Sequence, residues 1–236
     1  MDISQIKNHI KNVNGFLSDK EGELLYNLAK NYKGDGVIVE IGSWQGKSTI
    51  WLGHGSMCGR NKKIYAIDPH IGSAEHQENR KKVWTFDKFK KNIKNEKLDK
   101  LIIPIIKTSQ EACKNFNRPV GIIFIDGAHD YKSAKLDFDI WFPKVIENGI
   151  MAFHDTTIWD GPRRVVKNFI YKSRYFKDIH FVDTITFATK VKKNSFKDQI
   201  KNRYMLIVSI LYDKLTKFHP PVFIKRIGKL IFQKIQ

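Results

Sequence analysis

The sequence predicts an α/β fold built on a doubly wound, mostly parallel sheet. Five short apolar runs, each bounded by polar or turn residues, lack the alternation of a half-exposed strand, which is typical of strands buried on both faces. The runs are residues 36–40, 63–67, 101–106, 121–125 and 149–153. Helix-length segments separate them, and a regular alternation of strand and helix favours a parallel sheet with helices on both faces.

The remaining elements follow from the same patterns. Crossover helices are predicted at 46–57, 84–96, 109–116 and 131–142, and a helix near 161–172 with strands near 178–183 and 184–191 completes the sheet. The first 30 residues are predicted to be helical, and Ser18 with Glu21 forms a capping box. Residues 70–100 are a polar insertion after the second strand, either a lid over a ligand crevice or a solvated charged helix.

The charge of the chain is unevenly distributed. The 236 residues include 42 Lys and Arg against 24 Asp and Glu, a net charge of +18. Residues 192–236 contain 11 basic and two acidic side chains, so half of the excess lies there. A basic excess favours polyanionic partners such as nucleic acid, anionic lipid or acidic glycan. We divide the chain into an N-terminal helical segment (1–35), an α/β domain (36–192) and a basic helical tail (193–236).

Composition excludes two classes of protein. Two cysteines, Cys58 and Cys113, cannot build a disulfide framework or a four-thiolate zinc site. The longest apolar stretch, residues 204–212, is far shorter than the roughly 20 residues of a spanning helix. The first residues lack the apolar segment of a signal peptide. We therefore expect a cytoplasmic protein rather than a secreted mini-protein or an integral membrane protein.

A glycine turn joins the first strand to the first crossover helix. Gly42 and Gly46 allow a ligand to approach the backbone at a helix start, where free N–H groups favour an anion. A P-loop is one interpretation, but that loop needs four residues between its glycines and this turn has three. The other interpretation is a site for an adenosyl cofactor. Such a site needs an acid at the end of the second strand to hold the ribose hydroxyls, and Asp68 is at that position.

The whole pattern resembles the class I S-adenosylmethionine (SAM)-dependent methyltransferases over about residues 15–190. The motifs are VEIGSWQGKST (39–49), YAIDPH (65–70), KTSQEA (107–112), IIFIDGAHDY (122–131) and MAFHDT (151–156). More narrowly, the chain is similar to the branch of catechol and macrolide-sugar O-methyltransferases, which are generally metal-dependent. The resemblance implies a Rossmann-like seven-stranded sheet of order 3-2-1-4-5-7-6 with the last strand antiparallel, followed here by the basic helical extension.

The resemblance also implies a set of cofactor-binding residues. Glu40, Gly42 and Ser48 would contact the methionine end of SAM, Asp68 would hold the ribose, and Ser109 and Gln110 would border the adenine. Ser43, Asp126 and Gly127 complete the set. Each has a structural alternative, since Gly42 is also a turn residue, Ser48 a helix-start hydroxyl and Ser109 a candidate helix cap.

The fourth and fifth strands end in acids and histidines. Asp126 and Asp155 are candidates to share a divalent metal, with His154 as a further ligand; the oxygens suit Mg or Mn, and an imidazole shifts the preference toward Mn, Fe or Zn. The related sugar enzymes usually have an acid where this chain has His154. His129, three residues beyond Asp126, occupies the general-base position of the resembled enzymes. The alternatives are a turn-capping Asp155 with a packed His154, and a structural His129.

The tail has two segments with apolar residues at helical spacing, 205–218 and 223–235, interleaved with lysines. They are typical either of an interfacial helix on an anionic membrane, which would make the protein peripheral, or of helices packed on the domain or on a second subunit. The predicted activity is O-methylation of a vicinal-hydroxyl acceptor, such as a sugar of a glycan or glycolipid. The alternatives are an RNA methyltransferase, disfavoured because basic and aromatic residues are not interleaved, and a membrane-surface adaptor without activity.

Overall fold

The computed structural model describes residues 1–72 and 83–217, which form one seven-stranded sheet flanked by helices. The strands are β1 (Val37–Ile41), β2 (Ile64–Ile67), β3 (Ile102–Ile105), β4 (Val120–Ile125), β5 (Val145–Phe153), β6 (Phe176–Val182) and β7 (Ile185–Lys190). The α-helices over these residues are α1 (Ile3–Ile10), α2 (Asp19–Asn31), α3 (Lys47–Cys58), α4 (Phe86–Asn95), α5 (Ser109–Lys114), α6 (Tyr131–Trp141), α7 (Asp160–Val165) and α8 (Phe196–Lys217). A 3-10 turn follows α6, and a π-helical turn, Val166–Tyr171, continues α7.

The strand order is β3-β2-β1-β4-β5-β7-β6, as predicted. β1 pairs in parallel with β2 and β4, and β4 with β5, whereas β7 is antiparallel to both β5 and β6. Every residue of β4 is buried, which is the physical reason for its unalternating apolar sequence. The predicted Rossmann-like α/β fold is confirmed.

The N-terminal region forms two helices rather than one continuous helical segment. Ser18 and Glu21 form the predicted capping box at the start of α2. α2 packs closely on α3, where a Cβ on Gly22 would lie 2.1 Å from Nε1 of Trp51. The domain boundaries at residues 35 and 192 remain sequence-based predictions.

The insertion at 70–100 contains α4, whose Phe89 and Ile93 are buried against the domain. The helix therefore packs on the protein with one face, and its other face is rich in lysine. Residues 73–82 lie outside the described part of the chain, so the predicted lid stays a prediction.

The first half of the basic tail is helical and packed on the sheet domain. Met205 and Val208 of α8 are buried, and the side-chain amides of Asn194 and Asn202 both donate to the carbonyl of Phe176, at 2.7 and 2.8 Å. The second predicted segment, 223–235, lies outside the described residues. No described helix has the length and apolar character needed to cross a bilayer.

Candidate active site

The predicted site residues meet at the carboxyl edge of the parallel strands. Main-chain hydrogen bonds continue the ladders past the strand ends: Gly42 N donates to Ile67 O at 2.9 Å and Asp126 N to Ile41 O at 2.8 Å. His154 N likewise donates to Ile125 O at 3.0 Å. The loops after β1, β4 and β5 are therefore fixed side by side, at the place where open α/β sheets bind ligands.

The glycine turn lies directly against the loop after β4. Gly42 has a φ of +83°, and a Cβ there would be 2.0 Å from the carbonyl oxygen of Asp126. No other residue type fits this position without moving one of the two loops. Gly46 is the N-cap of α3 and supplies no side-chain acceptor, so the first N–H groups of the helix face the turn without a capping side chain.

Glu40 lies beneath this turn and is fully buried. Burial raises the pKa of its carboxyl to about 8, although hydrogen bonds from Ser48 and Thr49 oppose the rise. Among the described residues, Glu40 Oε1 and the hydroxyl of Ser43 are buried without a hydrogen-bond partner. Unsatisfied polar atoms of this kind are uncommon, and a polar ligand in the turn would explain both.

Asp68 follows β2, as predicted, and its carboxylate joins two loops. Oδ2 accepts from the main-chain N–H of Trp44 at 2.7 Å, and Oδ1 accepts from that of His70 at 2.6 Å. A carboxylate has about four lone-pair positions, so these two bonds leave acceptor capacity for a ribose. Asp68 is thus a positioning residue for the glycine turn, whatever it also binds.

The predicted adenine-side residues have mixed surroundings. The Ser109 hydroxyl accepts from Trp141 Nε1 at 2.9 Å, whereas Gln110 is exposed. The cap of α5 is Thr108 rather than Ser109, which removes that structural alternative. Gly127 lies beside the buried Asp137, since a Cβ there would be 3.0 Å from Asp137 Oδ2.

Asp126, His154 and Asp155 form a compact cluster at the ends of β4 and β5. Three of their ligand-type atoms, one from each residue, lie within 4.8 Å of one another. His154 Nδ1 is 2.9 Å from Asp126 Oδ1 and 3.4 Å from Asp155 Oδ2. Asp155 has a φ of +59°, an uncommon conformation that directs its carboxylate toward the two histidines. Its side chain contacts His129 and His154 rather than capping the next turn, whose N–H groups bond to the Asp155 main-chain oxygen.

Glu21 is a member of this cluster that the sequence interpretation missed. Its Oε2 lies 3.5 Å from His154 Nε2, and its Oε1 accepts from Thr184 N at 2.9 Å and from Thr184 Oγ1 at 2.6 Å. Burial opposes its ionisation, yet His154 and Thr184 lower the pKa of Glu21 to about 2. The capping box was visible in the sequence, but nothing in it indicated that the same carboxylate would reach β5.

His154 therefore lies between three carboxylates. Burial alone would lower the pKa of its imidazole, but Asp126, Asp155 and Glu21 raise it far above the ordinary value. The imidazolium carries the positive charge that balances these acids. A bound cation would contribute the same charge, and the Nε2 contact with Glu21 leaves Nδ1 directed at Asp126 and Asp155 as a ligand.

His129 lies at the open side of the cluster. Its Nε2 is 3.1 Å from Asp155 Oδ2, and its ring stacks on Trp159 with centroids 4.8 Å apart and an interplanar angle of 8°. A Cβ on Gly161 would be 2.1 Å from the carbonyl oxygen of His129, so the start of α7 packs tightly against the histidine loop. His129 is thus fixed in orientation while its side chain stays 18% exposed.

The cluster has the donor set of a divalent-metal site. Two carboxylates and one imidazole suit Mn²⁺, with Mg²⁺, Fe²⁺ or Zn²⁺ as related choices. Asp126 is partly exposed, so water or an acceptor oxygen has access to complete a coordination sphere. The residues present fit such an ion.

Comparison with known proteins identifies relatives of the chain. Residues 39–156, which are 118 of its 236 residues, match the model of a family described as a methyltransferase domain. Uncharacterized protein R132 of Acanthamoeba polyphaga mimivirus is 30% identical over 139 residues, or 56% of this chain. The matched region spans 57% of that relative, less than two thirds of its length.

Solved structures with the same fold include two enzymes bound to S-adenosylhomocysteine (SAH). The O-methyltransferase from Bacillus cereus is 18% identical, with a TM-score of 0.55 covering 80% of this chain and 89% of that one. MycE, a methyltransferase from the mycinamycin biosynthetic pathway bound to Mg, SAH and mycinamycin VI, is 17% identical, with a TM-score of 0.54 covering 83% and 56%. At these identities the likeness establishes a shared fold, and together with the family match it confirms the predicted resemblance.

Proposed function

Because the chain belongs to the methyltransferase-domain family, we propose that it is a SAM-dependent O-methyltransferase acting on a hydroxyl of a sugar or similar vicinal-diol acceptor, assisted by a divalent cation. One observation carries the proposal: His129 Nε2 lies 3.1 Å from Asp155 Oδ2, beside a compact Asp126–His154–Asp155 cluster and next to the glycine turn. A base, a cation site and a cofactor turn at one strand edge are the parts that methyl transfer to a hydroxyl needs.

The cofactor would lie across the loops after β1, β2, β3 and β4. Its methionine end carries an ammonium group, which complements the buried Glu40 and the unpaired Ser43 hydroxyl. Asp68 would accept from the ribose, and Ser109 and Gln110 would border the adenine. Asp126 and Gly127 would complete the cofactor-binding set. When bound, SAM supplies an electrophilic methyl group on a sulfonium, and a divalent cation lowers the pKa of an acceptor hydroxyl.

His129 would take the proton of the acceptor hydroxyl, and Asp155 would stabilise the imidazolium that results. The deprotonated acceptor oxygen would then be held beside the methyl group that SAM would supply. Asp126 and Asp155 would hold the cation, while Glu21 would fix the ring of His154. Trp159, which stacks on the ring of His129, would keep that ring in a fixed orientation.

The experiment separates binding from chemistry. We expect SAM to bind by calorimetry and methyl transfer to a panel of sugar diols to be stimulated by Mn²⁺ or Mg²⁺ and abolished by EDTA. His129→Ala should lower kcat by about a hundredfold or more, the usual contribution of a general base, with SAM affinity unchanged. His9→Ala, an exposed histidine on α1, is the matched control and should leave kcat unchanged.

The alternative functions give different results in the same experiment. An RNA methyltransferase would methylate RNA instead, with an affinity that falls steeply as salt increases. An adaptor would bind no SAM under any metal condition. Activity unaffected by His129→Ala would exclude this histidine as the base.

A further inference from the structure

The outward face of α8 has an unusual composition. Every exposed α8 side chain from residue 196 to residue 215 is either large and apolar or basic. The apolar members are Phe196, Ile200, Tyr204, Ile207, Ile210, Leu211 and Leu215, and the basic members are Lys197, Lys201, Arg203 and Lys214. At 100° per residue the apolar members cover an arc of about 140°, and Lys197, Arg203 and Lys214 lie within the same arc. We call this surface the α8 stripe.

The α8 stripe is not needed to attach the helix to the domain. The opposite side of α8 does that, because Asn202, Met205 and Val208 are buried against the sheet domain. Phe196 is 78% exposed and Ile207 is 57% exposed, so the stripe is presented to solvent. A large group of exposed apolar side chains on one face of a folded domain usually marks an interaction site.

The exposed charged side chains of α8 from residue 196 to residue 215 are all basic. The two acids of the helix are engaged elsewhere: Asp198 accepts from Ser195 N at 2.9 Å at the helix start, and Asp213 pairs with Arg163 at 3.6 Å. The sequence continues in the same way, since residues 214–236 contain six Lys and Arg and no acid. The partner must therefore present negative charge beside an apolar layer.

We propose that the α8 stripe binds an anionic membrane surface. Apolar side chains would enter the boundary between headgroups and acyl chains, while Lys201, Arg203 and Lys214 would contact lipid phosphates. A second copy of the chain is a poorer occupant, because a symmetric contact would oppose four cations with four cations.

The position of the helix gives this surface a role in the reaction. The C-terminal half of α8 reaches the candidate active-site edge, where the Tyr212 ring packs on Phe181 at 5.2 Å and Asp213 contacts Arg163 at the start of α7. α7 also packs against His129 through Gly161. Binding through the α8 stripe would hold the candidate site beside the lipid headgroups.

Vesicle sedimentation with the full chain tests the proposal. We expect binding to vesicles of phosphatidylcholine with one quarter phosphatidylglycerol, weak binding to phosphatidylcholine alone, and weaker binding as salt increases. Absence of binding to the anionic vesicles would overturn the proposal. Equal binding to both vesicle types would refute the role of the basic residues.

Matched variants locate the surface. Ile207→Ser with Leu211→Ser should weaken binding at least about tenfold, whereas Met57→Ser with Leu136→Ser, exposed on other helices, should not. Arg203→Gln with Lys214→Gln should weaken it about 25-fold, since each basic residue near an anionic surface contributes roughly fivefold. Lys11→Gln with Lys33→Gln removes the same charge from exposed positions elsewhere and should have little effect.

Two results would reassign the surface. If Lys11→Gln with Lys33→Gln weakens vesicle binding as much as Arg203→Gln with Lys214→Gln, binding responds to total charge and the assignment to the α8 stripe is wrong. A dimer that dissociates on Ile207→Ser with Leu211→Ser, without vesicle binding, would make a second copy the occupant. Circular dichroism and SAM calorimetry on each variant establish that the fold and the candidate active site are intact.

Discussion

Replacing Glu40 by glutamine removes an ionisable group that is fully buried under the glycine turn. Its pKa is about 8 in the folded protein and 4.5 in the unfolded chain. Between these values the unfolded chain has released the proton that the folded protein retains, so the stability falls as pH rises. From about pH 5 to about pH 8 the loss amounts to roughly 3 kcal/mol, at about 1.4 kcal/mol for each pH unit.

Urea unfolding across this pH range measures the effect. The free energy of unfolding of Glu40→Gln should depend less on pH than that of the original protein. Relative to the original, the variant should therefore gain about 3 kcal/mol of stability between about pH 5 and about pH 8. The slope is diagnostic because any cost of the unpaired amide is the same at every pH. Asp137→Asn is a matched control, because burial raises the pKa of Asp137 to about 6 from 3.8. The difference in free energy of unfolding between this variant and the original protein should therefore stop growing near pH 6.

Parallel profiles for Glu40→Gln and the original protein would refute this reasoning, because they would mean that Glu40 is ionised in the folded state throughout.

The same proton gives a functional readout. A cationic cofactor in the turn favours the ionised carboxylate, so SAM binding at pH 7 should release a proton. The binding heat should then depend on the ionisation enthalpy of the buffer, and Glu40→Gln should remove that dependence.

Two further substitutions test the acid–histidine cluster. Glu21→Gln should lower the free energy of unfolding by about 3 kcal/mol at pH 7, because the pKa of about 2 stabilises the fold above pH 4.5 and that contribution disappears as pH falls toward 2. Urea unfolding at pH 7 and pH 3 checks this. The prediction is contradicted if the stability difference between Glu21→Gln and the original protein is as large at pH 3 as at pH 7, or if the more exposed Glu23→Gln shows an equal difference. Trp159→Leu should lower kcat about tenfold without changing SAM affinity, because the ring that orients His129 is lost. Steady-state kinetics measure this, with the remote Tyr175→Leu as control; no change in kcat would show that the stacking does not position His129.

The order of elements was predictable because each rests on a local pattern. Strands buried on both faces have unalternating apolar sequences, and Gly42 is required by a backbone conformation that other residues rarely adopt. Parallel strands end at one edge, so Asp126, His154 and Asp155 could be placed together from the resemblance alone. Their spacing within 4.8 Å agrees with that expectation.

Other contacts are made between segments that no local pattern connects. Glu21 looked like an ordinary capping residue, and its second role depends on how α2 packs beside β5 and the loop at Thr184. Asp68 was predicted from its position, but its bonds to Trp44 and His70 depend on two loop conformations with positive φ.

The sequence by itself determined the α/β fold, the glycine turn and the residue types at the strand ends, because hydrophobic periodicity and backbone sterics are local properties. Only the tertiary structure decided which carboxylates share His154 and which face of α8 is covered. Burial and charge pairing depend on distances between segments far apart in the chain, and packing of the whole domain sets those distances.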